Sequence, residues 1–359
     1  LLAFGKNTKI IGISRRPATY KRNRYNATKV GYRSMIQNAL PVFVKKGVLH
    51  KIKDGFGDRR IKSLKETASI PTNEQRRVTR YKISDDFWES LEDGLLRNAR
   101  IKEDQTEKLV LKGSGKKADY MDTEETVRIR DFLKRFNGFL DNQHISRPET
   151  DYHNSPQRYF RRVFNNDFKQ GGRFYGHWVI TLEKREREKL LFNGAGICEL
   201  DFKAMHPHIL YSEIGVNYHS IYGDDDPYII ESFPRDVVKA GFNVALNNKT
   251  RRGFGNALKG RLLKDNILVS GQGFSGIPVR DALEKKHHLI KNYFYSGNQF
   301  NWGLRCQYID SCIMEQLLEE LMSRNICCIP IHDGIMVPRK HRFITETLMK
   351  DVWISMRRT

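Results

Sequence analysis

Two aspartates at the ends of strand-like segments are the residues best suited to chemistry. The apolar run at 196–198 leads to Asp201, and Asp333 lies at the centre of the apolar segment 329–337, beside Gly334, which suits a tight turn. Carboxylates that strands hold rigidly can share two divalent ions about 3.5–4 Å apart. The pair therefore predicts metal-assisted catalysis, and two unrelated turn aspartates are the alternative.

A positively charged helix is predicted to follow Pro234, a residue that suits a first helical turn. On that helix Arg235, Lys239 and either Phe242 or Asn243 are spaced so that they share one face. Two cations and an aromatic ring on one face suit the phosphates and the base of a nucleoside triphosphate. A surface helix with scattered positive charge is the alternative.

Basic and aromatic residues alternate at 158–162, and a glycine-rich segment follows at 171–176. The alternation makes Arg158 and Arg161 candidate nucleic-acid contacts. Glycines let a backbone approach a neighbour closely, and Arg173 in this segment can reach minor-groove acceptors, which vary little with base sequence. A plain glycine-rich hairpin is the alternative.

These side chains need strands and helices to position them. Residues 303–324 predict an amphipathic core helix with Gln307 near its start. Residues 87–150 predict helices joined by a flexible basic loop at 112–117. Residues 248–285, rich in glycine and basic residues, predict a mobile insert.

The composition predicts a globular protein with a polyanionic partner. The 359 residues carry a net charge of +21, with 39% hydrophobic and 11% aromatic content, which favours two or three domains that bind nucleic acid. Residues 1–86 hold 21 lysines and arginines against 6 acids, so this region carries most of the excess. A membrane surface is the alternative partner, but no apolar stretch approaches the ~20 residues that span a bilayer.

The basic N-terminal region is predicted to bind nucleic acid. Residues 1–30 read as an arm that orders on a phosphate backbone. A helix at 34–40 and strands at 42–44, 48–52 and 78–83 resemble a winged helix in outline. A basic, β-rich region that makes no specific contact with nucleic acid is the alternative.

The five cysteines show no Cys-x-x-Cys spacing. This pattern predicts reduced thiols in a cytoplasmic compartment and argues against a zinc site. The apolar run at the first residues is too short for the core of a signal peptide.

The order of these motifs resembles the palm and fingers of family A DNA polymerases and of the related single-subunit phage-type RNA polymerases. The resemblance covers roughly residues 165–345. Asp201 and Asp333 match the family's metal-binding aspartates, and Arg235 and Lys239 match the pair that holds the incoming triphosphate. The resemblance implies that both aspartates and Lys239 are catalytic.

Five other positions support the resemblance, and at two of them the residue differs from the one usual in the family. Arg173 is similar to an arginine that contacts the primer end, Gln307 to a glutamine at the template–primer minor groove, and His332 to a histidine beside the primer end. His206 stands where DNA polymerases of the family carry a sugar-sensing glutamate. Asn243 stands where they usually carry phenylalanine or tyrosine.

The resemblance implies an α+β fold. It would be a polymerase right-hand palm, an antiparallel sheet with helices, joined to helical fingers and thumb and to a basic winged-helix-like N-terminal region. The implied regions are 1–86, the N-terminal nucleic-acid-binding region; 87–164, thumb-like; 165–230, the first part of the palm; 231–300, the fingers; and 301–359, the second part of the palm.

The implied function is template-directed extension of a nucleic-acid 3′ end with nucleoside triphosphates. We expect a monomeric DNA polymerase that acts on a primer–template, lacks a proofreading exonuclease and does not bind a membrane. Asp201 and Asp333 would hold two Mg²⁺ ions, which Mn²⁺ could replace, with the Phe202 carbonyl as a further ligand. Stacking on Phe242 or Tyr211 would seat the base or the sugar.

Three alternatives stay open. An RNA polymerase or primase of the same fold is one, because His206 can both donate and accept hydrogen bonds and so could exclude or accommodate a 2′-hydroxyl. An RNase H-like two-metal nuclease or transposase is the second, and it would need Glu199 or Asp226 as a further acid. A non-catalytic nucleic-acid binder with a decayed polymerase core is the third. A small polymerase without exonuclease would suit the cytoplasm, associated with a nucleoid, plasmid, phage or other mobile element.

Overall fold

A computed structural model describes residues 2–3, 10–14, 37–53, 78–86, 107–147, 158–269, 271, 273–297 and 300–356. The described chain mixes α-helices and β-strands, as predicted. It divides into two units, Leu1–Glu107 and Lys108–Thr359. This division lies inside the predicted region 87–164, and the other predicted boundaries stay predictions.

The N-terminal unit contains one antiparallel sheet and a short helix. Its elements are β1 (Leu2–Ala3), β2 (Ile10–Ser14), α1 (Leu40–Lys45), β3 (Leu49–Lys53) and β4 (Val78–Ile83). The four strands lie in the order β1, β2, β4, β3. The strands predicted at 48–52 and 78–83 are confirmed, and they pair with each other as β3 and β4.

Two predictions for the N-terminal unit were wrong. Residues 42–44, predicted as a strand, lie in α1, where Pro41 occupies the first turn and its fixed φ suits a helix start. Residues 10–14, predicted as part of an arm that needs phosphate to become ordered, form β2 and hydrogen-bond to β4. Residues 15–36 and 54–77 lie outside the described part of the chain.

The C-terminal unit is larger and holds most of the described helices. Its strands are β5 (Leu109–Gly113), β6 (Lys116–Ala118), β7 (Ile145–Ser146), β8 (Arg161–Asn165), β9 (Asp167–Tyr175), β10 (Leu191–Phe192), β11 (Ala195–Asp201), β12 (Ile329–Ile331) and β13 (Gly334–Pro338). Its α-helices are α2 (Glu124–Asp141), α3 (Lys184–Arg187), α4 (Met205–Glu213), α5 (Tyr218–Tyr222), α6 (Arg235–Asn247), α7 (Phe254–Lys264), α8 (Ile277–Lys286), α9 (Trp302–Ser323) and α10 (Arg342–Met356). Short 3₁₀ turns lie at Trp178–Thr181, Lys291–Tyr293 and Arg339–His341.

Two sheets organise this unit. One has five strands in the order β12, β13, β11, β10, β7, and all of its pairs are antiparallel. The other has four strands in the order β6, β5, β8, β9, with β5 and β8 parallel. The predicted hairpin around Asp333 is confirmed as β12 and β13.

Helix α9 is the central support of the C-terminal unit. It packs against β9, α2, α4, α6 and α10. The predicted apolar stripe is confirmed, because Ile313, Leu317 and Leu321 are at most 1% exposed and Ile309 is partly buried. Complete burial of such a side chain contributes about 1.5–3 kcal/mol, so this stripe helps to fix the helix in the core of the unit.

Two segments predicted as loops are regular structure. Residues 112–117 form the tight turn of the β5–β6 hairpin, where Ser114 and Gly115 adopt left-handed conformations with φ of 48° and 76°. Residues 248–285 contain α7 and α8, which pack on α6. Composition misled here because the basic residues lie outside, while a few buried side chains, among them Phe254 and Leu283, provide the core contacts.

The helix predicted within 127–140 is confirmed as α2, capped by the Thr123 side chain. The helix predicted around residues 87–96 lies outside the described residues. Among the helices of the described ranges, none combines the length and the apolar character needed to cross a bilayer.

Candidate active site

The two predicted aspartates meet at one end of the five-stranded sheet, where β11 ends and β13 begins. Strands β11 and β13 pair so that Asp201 lies opposite Gly334, the residue after Asp333. The Phe202 N–H donates a hydrogen bond to the Asp333 carbonyl oxygen at 3.2 Å. Asp201, Phe202 and Asp333 all line one cavity of about 510 Å³. Antiparallel pairing therefore unites two acids that lie far apart in the sequence.

Gly334 leaves space for the Asp201 carboxylate. A Cβ atom at this position would overlap Asp201 Oδ1 and lie 3.1 Å from the Leu200 carbonyl oxygen. The left-handed residue of the turn is His332, with φ of 54°, so the prediction that Gly334 serves the turn geometry was wrong. Glycine is required because the Asp201 carboxylate and the Leu200 carbonyl oxygen leave no space for a Cβ atom.

Negative charge is concentrated around Asp201. Loss of hydration in the cavity raises the pKa of this carboxyl group, and the nearby charges of Glu199 and Asp333 raise it further, against the opposing effect of Lys184 and Lys239. A bound divalent cation would offset the repulsion between these negative charges.

The donors present fit Mg²⁺ in part. Among the described residues, no group of three or more histidine, cysteine, aspartate and glutamate side chains is placed to hold a metal ion. The protein would therefore supply two carboxylates and the Phe202 carbonyl, and substrate phosphates and water would complete the octahedral oxygen shell that Mg²⁺ requires.

One face of α6 forms the opposite wall of the cavity. Arg235, Lys239, Asn243 and Asn247 line it at intervals of four residues. The helix predicted after Pro234 is confirmed, with Pro234 as its N-cap residue. Asn243, rather than an aromatic residue, is therefore the side chain that follows the two cations along this wall.

Phe242 and Tyr211 do not face the cavity. Both side chains are fully buried, and Phe242 packs edge-on against Tyr228, His287 and Phe294. The Tyr211 hydroxyl lies within hydrogen-bond distance of the Tyr222 hydroxyl at 3.4 Å. The prediction that Phe242 or Tyr211 stacks on a nucleotide was wrong, because both rings form the core beneath the cavity wall.

Arg235 is held by an acid from the preceding loop. Its Nε donates to Asp226 Oδ2 at 2.8 Å, and its guanidinium lies 5.4 Å from the centre of the Tyr228 ring. Burial tends to raise the pKa of Asp226, but hydrogen bonds from the Tyr228 N–H and from Arg235 outweigh it and lower the pKa. This carboxylate thus remains charged and partly neutralises Arg235.

The cavity lining carries five basic side chains, three of which are paired with acids. Arg173, Arg235 and Arg261 form ion pairs with Asp310, Asp226 and Asp265. The other two, Lys203 and Lys239, share the lining with the carboxylates of Asp201 and Asp333. Such lysines can attract anions, phosphates among them.

Arg173 is fixed by a buried carboxylate on α9. Its Nε lies 3.1 and 3.0 Å from the two oxygens of Asp310, and its Nη2 also donates to Asp310. The Asp310 side chain has no solvent exposure. His206 Nε2 lies 3.1 Å from Asp310 Oδ2 and 3.2 Å from Arg173 Nη2. The cavity floor therefore contains a connected group of three polar side chains.

The glycine-rich segment brings β9 against α9. Gly171 and Gly172 have φ of 77° and 84°, and a Cβ at Gly172 would lie 2.9 Å from Ser311 Oγ on α9. The predicted close approach is confirmed, and the alternative of a hairpin also holds, because β8 and β9 form one. The fully buried Arg162 stabilises the contact, because it donates to the Gly172 carbonyl on β9 and to Ser311 Oγ on α9, each at 2.7 Å.

Four of the residues predicted to contact nucleic acid differ in whether they line the cavity. Gln307 lines the cavity. His332, Arg158 and Arg161 are not among the residues that line it: His332 lies beside the Tyr175 ring, and Arg158 forms an ion pair with Asp141 at 3.2 Å. Arg161 is exposed on β8.

Three residues were not predicted as site residues: Tyr228 and Arg261, which line the cavity, and Asp310, which binds two lining side chains. Asp310 lies three and seven residues before Ile313 and Leu317 of the apolar stripe, and an acid at such a position is a detectable signal. Tyr228 follows the acidic run at 224–226, which drew the attention instead. Arg261 was missed because α7 was not predicted as a helix.

Comparison with protein-family models gives no match, and comparison with curated protein sequences gives no significant match.

Proposed function

We propose that the chain is a template-directed nucleotidyltransferase that extends a nucleic-acid 3′ end, most simply as a DNA polymerase. The observation that carries the proposal is a single cavity between two walls. Asp201 and Asp333 lie on one wall, and Arg235 and Lys239 lie one helical turn apart on the other.

The α6 wall suits a triphosphate. Arginine binds phosphate oxygens through two parallel N–H groups, and lysine acts as a mobile point charge. The Arg235 Nε is engaged by Asp226, but its terminal nitrogens remain for phosphate. Lys239 is exposed on the same face and would neutralise the β- and γ-phosphates of the bound triphosphate.

The sheet wall suits the reacting end of a primer. Two divalent ions bound by Asp201 and Asp333 would lower the pKa of a 3′-hydroxyl and neutralise the leaving pyrophosphate. The chain's own contribution is to hold Asp201 at the end of β11 and Asp333 in the two-residue turn before β13, where the Phe202 N–H donates to the Asp333 carbonyl oxygen. The pairing of β11 with β13 therefore limits the separation of the two carboxylates.

Arg173 and Gln307 are placed to contact the terminal base pair. Because Asp310 engages Nε and Nη2 of Arg173, the Nη1 group is the part of the guanidinium left for a minor-groove acceptor. Gln307, three residues before Asp310 on α9, lines the same cavity and can donate and accept through its amide. The positive charge of residues 1–86 supports a polyanionic template.

The contacts of Glu199 and Asp226 disfavour the nuclease alternative. Glu199 accepts hydrogen bonds from Arg187 Nε at 3.0 Å and from Nη2 at 2.9 Å. Asp226 accepts from Arg235 and from the Tyr228 N–H. Each further acid that a nuclease would need is therefore already engaged by a cation.

The proposal is tested by primer extension with Mg²⁺ and each nucleotide set. We expect Asp201→Asn and Asp333→Asn each to lower the rate at least about 10³-fold, because a rigid carboxylate that positions metal contributes several kcal/mol. Asp351→Asn on α10 is the matched control, since that acid is exposed and outside the cavity. Full activity in either cavity variant would refute the assignment, and nicking of supercoiled DNA without nucleotides would favour the nuclease.

A further inference from the structure

Asp310 connects two residues that both face the cavity. Arg173 comes from β9 and His206 from the first turn of α4, and both bind the same carboxylate on α9, where Arg173 Nη2 and His206 Nε2 also lie 3.2 Å apart. Asp310 itself is not exposed, so it cannot contact a large ligand directly. Its effect on a ligand must pass through the two side chains that it holds.

The Asp310 carboxylate determines which ring nitrogen of a neutral His206 carries the proton. An ionised carboxylate only accepts hydrogen bonds, so a ring nitrogen 3.1 Å from Asp310 Oδ2 is stable there when it carries a proton. Arg173 Nη2 lies 3.2 Å from His206 Nε2, but both nitrogens contact Asp310 Oδ2, so this carboxylate oxygen can act as the shared acceptor for both N–H groups. The neutral ring therefore carries its proton on Nε2, and its other nitrogen, Nδ1, has a free lone pair.

We propose that Asp310 is a positioning residue, which holds Arg173 in one orientation and makes His206 Nδ1 a hydrogen-bond acceptor for a sugar hydroxyl of the bound nucleotide. The inference rests on the proposed nucleotidyltransferase function for its ligand. His206 lines the same cavity as Lys239 and Asp201, so a nucleotide with its phosphates on α6 has its sugar within the space that these residues enclose. A neutral Nδ1 accepts a hydrogen bond from a hydroxyl group but offers none to an ether oxygen.

The proposal separates Asp310 from an ordinary buried ion pair. A carboxylate that only balanced the Arg173 charge would affect stability and leave the imidazole proton unspecified. A positioning carboxylate also sets the tautomer of His206 and thereby the preference between nucleotides that differ by one hydroxyl. These two roles give different results in two measurements.

The first measurement is the ¹⁵N spectrum of the histidine side chains at pH 8 in the full-length protein, with the His206 signals assigned by their loss in His206→Gln. We expect protonated Nε2 and unprotonated Nδ1 in wild type, and a change in both signals in Asp310→Asn. A proton on Nδ1 in wild type, or unchanged signals in the variant, would overturn the proposal. The wild-type spectrum decides the first point even if the variant fails to fold.

The second measurement compares kcat/KM for ribonucleotides, 2′-deoxynucleotides and 2′,3′-dideoxynucleotides. We expect Asp310→Asn to reduce the discrimination against the nucleotide that lacks the recognised hydroxyl by about five- to tenfold, the loss of one hydrogen bond. His206→Gln is expected to shift the same ratio, and the double variant to shift it no further, because the two residues act as one unit. The pair of nucleotides whose ratio changes identifies the 2′- or the 3′-hydroxyl.

The two measurements fail in different ways. Unchanged ratios in an active Asp310→Asn enzyme would overturn the hydroxyl contact. If wild type extends no primer with any nucleotide set, the proposed function fails and the hydroxyl contact fails with it, while the spectrum still reports whether Asp310 holds the His206 proton.

Discussion

The two walls of the cavity are built in opposite ways. The sheet wall, formed by Asp201, Phe202 and Asp333, is fixed by backbone pairing between β11 and β13. The α6 wall, formed by Arg235, Lys239, Asn243 and Asn247, presents long side chains, two of which are exposed cations. Backbone pairing sets positions to a fraction of an ångström, whereas flexible side chains on a helix can follow a ligand. We infer that the sheet wall positions reacting atoms and the α6 wall binds charge.

Apart from removal of a carboxylate, this comparison predicts the largest loss of activity for a change that displaces the sheet wall. Gly334→Ala places a methyl group where Asp201 Oδ1 lies. We expect at least about 10²-fold lower kcat with little change in KM, because displacement of a reacting group by about 1 Å can cost this much. Primer extension kinetics on the folded variant provide the measurement.

Gly196→Ala on β11, the strand that pairs with β13, is the matched control for Gly334→Ala. A Cβ there would meet only Arg339 Nε at 3.9 Å, an ordinary contact. We expect near wild-type kinetics from it. Equal losses in the two variants would show that strand flexibility, rather than the space beside Asp201, governs activity.

A change in the α6 wall is expected to act mainly on nucleotide binding. Lys239→Ala removes one charge-assisted contact to phosphate, worth about 1.5–3 kcal/mol, so KM for the triphosphate should rise about 10- to 100-fold. Lys259→Ala on α7, which is also exposed but is not part of the cavity lining, should leave KM unchanged. A loss confined to kcat in Lys239→Ala would place this lysine on the chemical step instead.

Asp226 is expected to oppose triphosphate binding by partly neutralising Arg235. Asp226→Asn should therefore lower KM for the triphosphate by about two- to fivefold, the effect of a partly exposed ion pair. The nuclease alternative predicts the reverse, a loss of activity on removal of a metal-binding acid. Asp224→Asn, in the same acidic run, is the control for a general change of surface charge.

The smallest expected effect concerns stability. Because the pKa of Asp201 is raised in the folded chain, folding favours its neutral form, so ionisation at neutral pH reduces stability. Asp201→Asn should therefore raise the melting temperature at pH 7 in a chelator. The difference should shrink as the pH falls through the raised pKa and vanish below the ordinary value of 3.8.

Addition of Mg²⁺ separates this effect from a general stabilisation by asparagine. A cation that binds the folded state stabilises wild type, and the variant should gain less. A variant less stable than wild type at pH 7 in chelator would contradict the crowding of carboxylates around Asp201.

The sheet wall could be predicted from the sequence more fully than the α6 wall. Asp201 and Asp333 each follow apolar runs whose period indicates a strand, and the short turn of the hairpin limits the register. The face of α6 was predicted from helical spacing, which correctly grouped Arg235 with Lys239 but could not decide between Phe242 and Asn243. That choice depends on the core beneath α6, which includes His287 and Phe294 from elsewhere in the chain.

The remaining errors have a common cause. The link from Asp310 to Arg173 and His206 joins three elements, and no local pattern specifies which buried acid meets which cation. The helices α7 and α8 carry their apolar residues among many glycines and basic residues, so composition outweighed periodicity. In both cases tertiary packing decides what the local sequence leaves open.

The central claim is that Asp201 and Asp333 act as one binding site for divalent metal. It is tested most directly by titrating Mn²⁺, followed by electron paramagnetic resonance, into wild type, Asp201→Asn, Asp333→Asn and Asp351→Asn, each with a nonhydrolysable nucleoside triphosphate. We expect wild type and Asp351→Asn to bind protein-associated Mn²⁺ equally, and each cavity variant to lose most of that binding. Wild-type affinity for Mn²⁺ in either cavity variant would contradict the claim.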